Sequence, residues 1–269
     1  MTLDPMNFQN ITDCAEQAAN GNVIVPESWG QGRATFGGMV AALIYQQMTS
    51  VVSEGRPLRS LTVSFVAPVA PGEMKVSVRL LREGKAATQV EATGYQDDQA
   101  VAVLLASFGG DRQSVINIQG QDAPEMKAPD DAQTMPFVKG FTPDFTQHYD
   151  YRYAIGGMPF TGSTLPQVGG WIRQQTASER AISVADILGL VDAWPPVSLT
   201  LLKQPSPGSS LTWTINFVAH DQAQTASDWW QYLAKIESAG DGYSHIDAKL
   251  WDANGKLAVI SRQTVSTFA

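Results

Sequence analysis

The sequence predicts an α+β protein built from two similar halves, and three observations carry that reading. An apolar helical period followed by several strand-like runs occurs before residue 110 and again after residue 144. Short segments of the first half reappear, in the same order, in the second. Between the halves lies a stretch with neither period.

In the first half, Val40, Leu43, Ile44, Met48 and Val51 recur at helical spacing and predict a helix from Gly37 to about Val52. Four β-runs follow. LRSLTVSFVAPVA (Leu58–Ala70) ends at Pro71-Gly72, and EMKVSVRLLRE ends at Gly84. KAATQVEATGYQ ends at Asp97-Asp98 and leads into QAVAVLLASFG. From Asp111 to about Pro143 the chain is rich in Pro, Asp and Gln, and at this length it reads as a connector between domains. The expected division is therefore 1–112, 113–143 and 144–269.

The second half opens with strand-like RYAIGGMPF and GGWIRQQT. A helix is predicted from near Ser183 to the residues before Pro195-Pro196, where the missing amide and ring clash stop it. Strand-like VSLTLLK, SLTWTINFVA, SDWWQYLAKIES, YSHIDAKLWD and KLAVISRQTVSTF follow, punctuated by Gly240-Asp241-Gly242 and an Asn254-Gly255 hairpin signal. Ser60-Leu61-Thr62 with Phe65-Val66-Ala67 is mirrored by Ser210-Leu211-Thr212 with Phe217-Val218-Ala219. The offset grows from 150 (60 to 210) to 152 (65 to 217), so two residues are gained between the matches. A helix followed by a strand meander, twice, is the double hot-dog arrangement. Two antiparallel sheets are each expected to wrap a long helix and to pair side by side.

Composition narrows the function. The chain has 269 residues, 18 Lys+Arg against 26 Asp+Glu, and a formal charge of −8. Charged residues are only 16% and apolar ones 43%, which indicates a large buried core rather than disorder. No Lys/Arg cluster exists to neutralise phosphates, so nucleic acid is excluded as a partner. A single cysteine, Cys14, rules out an internal disulfide and a multi-cysteine metal centre, and it reads as a small apolar filler. MTLDPMNF lacks a basic and apolar leader, and no run approaches a membrane span, so a cytoplasmic setting is expected.

The segment Trp29-Gly30-Gln31-Gly32-Arg33-Ala34-Thr35-Phe36-Gly37-Gly38, running into an Ala/Leu/Ile-rich helix, resembles the first-domain signature of acyl-CoA thioesterases of the thioesterase II type. The strand series after it, the helix ending VDAWPP, and the strands SLTWTINF and AVISRQTV extend the resemblance over nearly the whole chain. It implies a double hot-dog fold, acyl-CoA as substrate, no cofactor or metal, and association into a homo-oligomer. It further implies that a water, oriented by an Asp, a Gln and a Thr or Ser, attacks the thioester without a covalent intermediate. Carried onto this chain, the Asp is Asp192, the Gln is Gln263 and the hydroxyl is Ser210, with Ser209 and Thr212 as competitors.

Physical patterning tests these positions. Asp192 continues the apolar stripe of Val184, Ile187, Leu188 and Val191, where a carboxylate is costly unless hydrogen-bonded and its pKa should rise toward that of a general base. Asp186, three residues after Ser183, fits a capping box instead. Strand parity sets Gln263 with Leu257, Val259 and Val265 on the apolar face. Parity sets Ser210 with Thr212, Thr214 and Asn216 on the polar face, so Ser210 reaches the site only through a bulge. Gly37 and Gly38 open the first helix, where free amides could polarise the thioester carbonyl. Arg33, Arg59, Arg82 and Lys85 are candidates for the CoA phosphates.

Other chemistries fit less well. Gly30-x-Gly32-x-x-Thr35 lacks the third glycine of a dinucleotide fingerprint, and no Gly-x-Ser-x-Gly is present. A hydratase would need an Asp/His pair, but Asp144 and His148 lie beside the connector, and His220 and His245 read as ordinary strand residues. A non-catalytic hot-dog module that binds acyl-CoA or lipid, or acts as a scaffold, is the alternative in a different class.

Overall fold

The computed structural model describes residues 10–17, 22–175, 180–218 and 224–268. Helix α1 (Ile11–Glu16) and strand β1 (Asn22–Val25) lead to a small hairpin, β2 (Gly30–Gln31) and β3 (Ala34–Thr35), and then to α2 (Gly37–Thr49). Strands β4 (Leu58–Phe65), β5 (Gly72–Glu83), β6 (Ala87–Gln96) and β7 (Gln99–Gly109) complete the first half. The remainder comprises β8 (Gln133–Met135), β9 (Tyr149–Ile155), β10 (Gln167–Gln174), α3 (Val184–Asp192), α4 (Val197–Leu201), β11 (Gly208–Phe217), β12 (Trp230–Gly240), β13 (Tyr243–Trp251) and β14 (Leu257–Thr267).

Apart from the β2–β3 hairpin, these strands form one continuous sheet of twelve, in the order β1-β5-β6-β7-β4-β11-β14-β13-β12-β10-β9-β8. The two sheets expected to pair side by side are here a single sheet. The edge strands β4 and β11 of the two halves pair antiparallel, Val63 opposite Trp213, which satisfies backbone groups that two free edges would expose. The repeat maps onto this seam. β4 has eight residues and β11 ten, matching the two-residue gain.

α2 and α3 pack together against the sheet. In α2 the face bearing Met39, Val40, Leu43, Ile44 and Met48 is fully buried, and the helix lies along the first half-sheet. The second helix departs from expectation. α3 has only nine residues and packs mainly on α2, not on its own half-sheet. The space under it is filled instead by large aromatics from β9, β11 and β12, among them Tyr149, Tyr151, Trp213 and Trp230.

VSLTLLK does not form a strand. Residues 197–201 make the short helix α4, whose end carbonyls accept from the 156–165 loop, as in Phe160 N–H to Leu199 and Ser163 N–H to Thr200. Residues 184–201 are long and apolar enough for a membrane-span criterion, but Pro195-Pro196 break them into two helices that are mostly buried.

The stretch from 113 to 143 contributes the edge strand β8, and residues 121–127 cross the outer face of the second half-sheet. There Trp251, Gln231 and Trp171 stand in one cross-strand row and donate to the carbonyls of Gln121, Pro124 and Lys127. Three donors thus hold the connector where periodicity alone offered no reason for order. Ala219 and His220 lie outside the described residues.

The packing of α3 over β9 depends on a glycine. A Cβ at Gly189, in the middle of α3, would collide with the hydroxyl of fully buried Tyr149. Alanine normally improves a helix interior by about 1 kcal/mol over glycine. Overpacking a closed core costs about 1–3 kcal/mol, so the collision decides the sign. Gly189→Ala is expected to lower the urea midpoint, and adding Tyr149→Phe should recover it. A stabilised single variant would refute this packing.

Candidate active site

α2 and α3 run antiparallel, so the N-terminus of α2 meets the C-terminus of α3, where Asp192 ends the helix. The first turn of α2 has no side-chain cap of its own, because its N-cap residue is Phe36. Asp192 supplies one from the other half of the chain: its carboxylate accepts the backbone N–H of Gly38. A Cβ at Gly37 would fall 2.8 Å from Asp192 Oδ2 and 3.0 Å from the ring of Phe65, so the approach requires glycine there.

β14 brings the second group. Gln263 faces inward between Trp213 of β11 and Ile246 of β13, as strand parity predicts. Its Nε2 donates to Asp192 Oδ1 at 2.7 Å across 71 positions of sequence. Asp192, Gln263 and Gly37 are each half-buried, so the cluster borders solvent. Burial raises the Asp192 pKa to about 6, with the donors from Gln263 and Gly38 holding it back from rising further.

Ser210 reaches the same face by the route that parity alone forbids. The β11–β14 register shifts between Ser210 and Thr212, a bulge that sets Ser210 opposite buried Val265 and Trp213 opposite Gln263. Ser210 is half-buried, whereas Ser209 and Thr212 are exposed. Of the three candidate hydroxyls, Ser210 is therefore the one that shares the face of Gln263, one cross-strand row away.

The remaining expected residues sort by position. Gly38 has given its amide to Asp192, which leaves the first turn at Gly37 as the candidate donor to substrate. Arg33 is exposed in the β2–β3 hairpin, four residues before α2. Arg59 donates to the Gly109 carbonyl and to Asp111 at the far end of β4, six extended residues, or roughly 20 Å, from Phe65. Arg82 and Lys85 lie beside that far end, where the β5–β6 turn meets Gly109.

Residues read as structural are so. Asp186 and Ser183 form the capping box of α3, and Asp186 also receives Arg180 and Gln174. Burial pushes the Asp186 pKa up, but the Arg180 hydrogen bond and the Ser183 amide outweigh it and leave the carboxyl below its usual range. His148 is buried in a stack with Trp29 at 4.0 Å, and burial lowers its pKa to about 4. Cys14 is buried with its thiol pushed up to about 12, which makes it a poor nucleophile. His245 is exposed on the outer face, bonded to Thr264. Among the described residues no group of three or more His, Cys, Asp or Glu is arranged to hold a metal.

Comparison with known proteins gives a consistent picture. Residues 25–109 match the family model described as the acyl-CoA thioesterase N-terminal domain, and residues 129–267 match that of the C-terminal domain. A conserved protein of unknown function with hot-dog fold from Alicyclobacillus acidocaldarius superposes with a TM-score of 0.85 at 23% identity, covering 97% of this chain and 99% of that one. An acyl-CoA thioesterase II from Mycobacterium marinum gives a TM-score of 0.71 at 19% identity, covering 92% of each chain. At these identities the superpositions establish the hot-dog fold. No match is found among curated proteins.

The raised Asp192 pKa has a consequence for stability. Below pH 4 the carboxyl is protonated in folded and unfolded chains alike. Between about pH 4 and pH 6 only the unfolded chain ionises, so rising pH favours unfolding until the folded group ionises as well. Relative to Asp192→Asn, the parent should lose about 2–3 kcal/mol between pH 4 and pH 7.5. Denaturant unfolding of both proteins at the two pH values measures the difference, and a gap independent of pH would remove the assignment.

Proposed function

Because the chain belongs to the acyl-CoA thioesterase family, we propose that it hydrolyses acyl-CoA thioesters to the free acid and CoA, with Asp192 as general base. The observation that carries this reading is the carboxylate held between Gln263 and the Gly38 amide at a solvent-bordering position. A base poised near pH 6 is ionised at neutral pH yet still basic enough to accept a proton from water.

In the proposed reaction a water sits between the Asp192 carboxylate and the Gln263 side chain. Gln263 Nε2 is committed to Asp192, so its carbonyl oxygen remains to accept from the water and fix its orientation. The Ser210 hydroxyl completes the water's surroundings. As the water oxygen bonds to the thioester carbon, its proton passes to Asp192 and negative charge develops on the carbonyl oxygen. The open first turn of α2 at Gly37 offers a backbone donor and the positive end of a helix to that charge. The carbon–sulfur bond then breaks, CoA leaves as thiolate, and the proton on Asp192 returns to sulfur or solvent. No side chain becomes acylated.

Purified protein with an acyl-CoA panel and a thiol reagent tests the proposal. Asp192→Asn should lower kcat/KM by about 10²-fold or more. For the parent, log kcat/KM should rise with pH up to about 6 and level off above, since the base acts in its ionised form. No CoA release from any thioester would end the enzymatic reading, and release undiminished in Asp192→Asn would end this mechanism.

A further inference from the structure

We infer that Trp194 and Tyr232 close the acyl end of this site and restrict it to short acyl groups. The inference rests on acyl-CoA being the ligand, as proposed above, and adds the class of acyl chain.

Two residues past Asp192 the chain turns Trp194 back into the second half. Its indole lies parallel to Tyr232 of β12, ring centroids 5.2 Å apart and planes within 4°. Tyr153 tilts against the same indole at 4.9 Å, and Tyr151 meets it edge-on at 5.9 Å. The Tyr151 hydroxyl also donates to the carbonyl of Ala193, fixing the backbone between Asp192 and Trp194. All four rings are buried, none more than 6% exposed. The Asp192 carboxylate is close enough to bear electrostatically on Tyr151 and Tyr232. The aromatic pack is therefore tied to the backbone that immediately follows the proposed base.

The floor beneath has the opposite character. Two residues along β14 from Gln263, the inner face carries Ser261, Ala248 and Ala234 in one cross-strand row. Small side chains there would give a linear acyl chain depth only if nothing lay over them. They are buried, and the next row of the sheet holds Tyr232, with Trp194 stacked upon it. On the other flank, α2 and Phe65 occupy the corresponding space against the first half-sheet. A group lodged at Asp192 thus meets packed walls on both sides. In a well-packed interior each further methylene would have to displace a ring rather than fill a gap.

The expected signature is a ceiling. Every methylene that enters an apolar pocket adds about fourfold in affinity, so an open tunnel would show steep gains along a homologous series. Asp192→Asn protein, which in the proposed mechanism turns the ligand over about 10²-fold more slowly or slower still, can be titrated with acetyl-, butyryl-, hexanoyl-, octanoyl- and palmitoyl-CoA. Affinity should stop rising at or before hexanoyl. In Asp192→Asn with Tyr232→Ala the rise should extend to octanoyl or beyond. A steady rise through palmitoyl in the protein with Tyr232 intact overturns the inference, even if the Tyr232 variant fails to fold. A ceiling that Tyr232→Ala and Trp194→Phe both leave in place, in folded protein, overturns the assignment to these rings. Failure to bind any acyl-CoA overturns it together with the reading beneath it. Tight binding without turnover by the parent would overturn only the enzymatic proposal.

Discussion

The contact between Asp192 and the first turn of α2 is the constraint around which the candidate site is built. A carboxylate at the C-terminus of its own helix faces the negative end of that helix dipole, an unfavourable place. Antiparallel packing reverses the sign, because the neighbouring helix offers its positive N-terminus and an unsatisfied amide. One side chain thereby caps a helix of the first half, ends a helix of the second, and receives Gln263 from β14. Burial still outweighs these donors, and the balance leaves the acid near pH 6 rather than fully ionised at all working pH values.

That contact is possible because the two halves are packed by different means. The first is helix on sheet, with α2 long enough to cover its strands. The second helix has nine residues and rests on α2, so its half-sheet must be filled from below by aromatic rings. Tyrosine and tryptophan supply the volume that helix turns would otherwise occupy, while carrying polar atoms that need partners. The Tyr151 hydroxyl finds the Ala193 carbonyl and the Tyr153 hydroxyl the sulfur of Met135. A short α3 and a ring-filled interior are two descriptions of one packing solution.

What could be read from sequence follows the reach of periodicity. Asp192 was legible because it continues a helical apolar stripe, and Gln263 because it alternates with Val259 and Val265. Ser210 contradicted its parity, since a bulge adds a residue without changing composition; only the register against Val265 reveals it. The helix in VSLTLLK was hidden for a related reason: the 156–165 loop satisfies its carbonyls, and no local signal announces that partner. The order in residues 121–127 depends on donors more than forty positions away. The continuous sheet was implicit in the repeat, but the edge pairing of β4 with β11 is a tertiary choice that two separate sheets would have satisfied equally well in pattern.

The seam also shows how the two duplicated halves differ at the candidate site. Across β7, β4, β11 and β14 a single row reads Leu104, Val63, Trp213, Gln263, symmetric about the β4–β11 junction. The position related to Gln263 in the first half is Leu104, wholly buried and unable to hold a water. The two helix N-termini diverge in the same sense. α3 closes its own with the Ser183–Asp186 capping box, reinforced by Arg180, so its first turn is capped from within. α2 begins with Phe36, Gly37 and Gly38, which offer amides and no side chain to use them. Of α2 and α3, only α2 takes its cap from another element, and it is there that the proposed base is drawn inward.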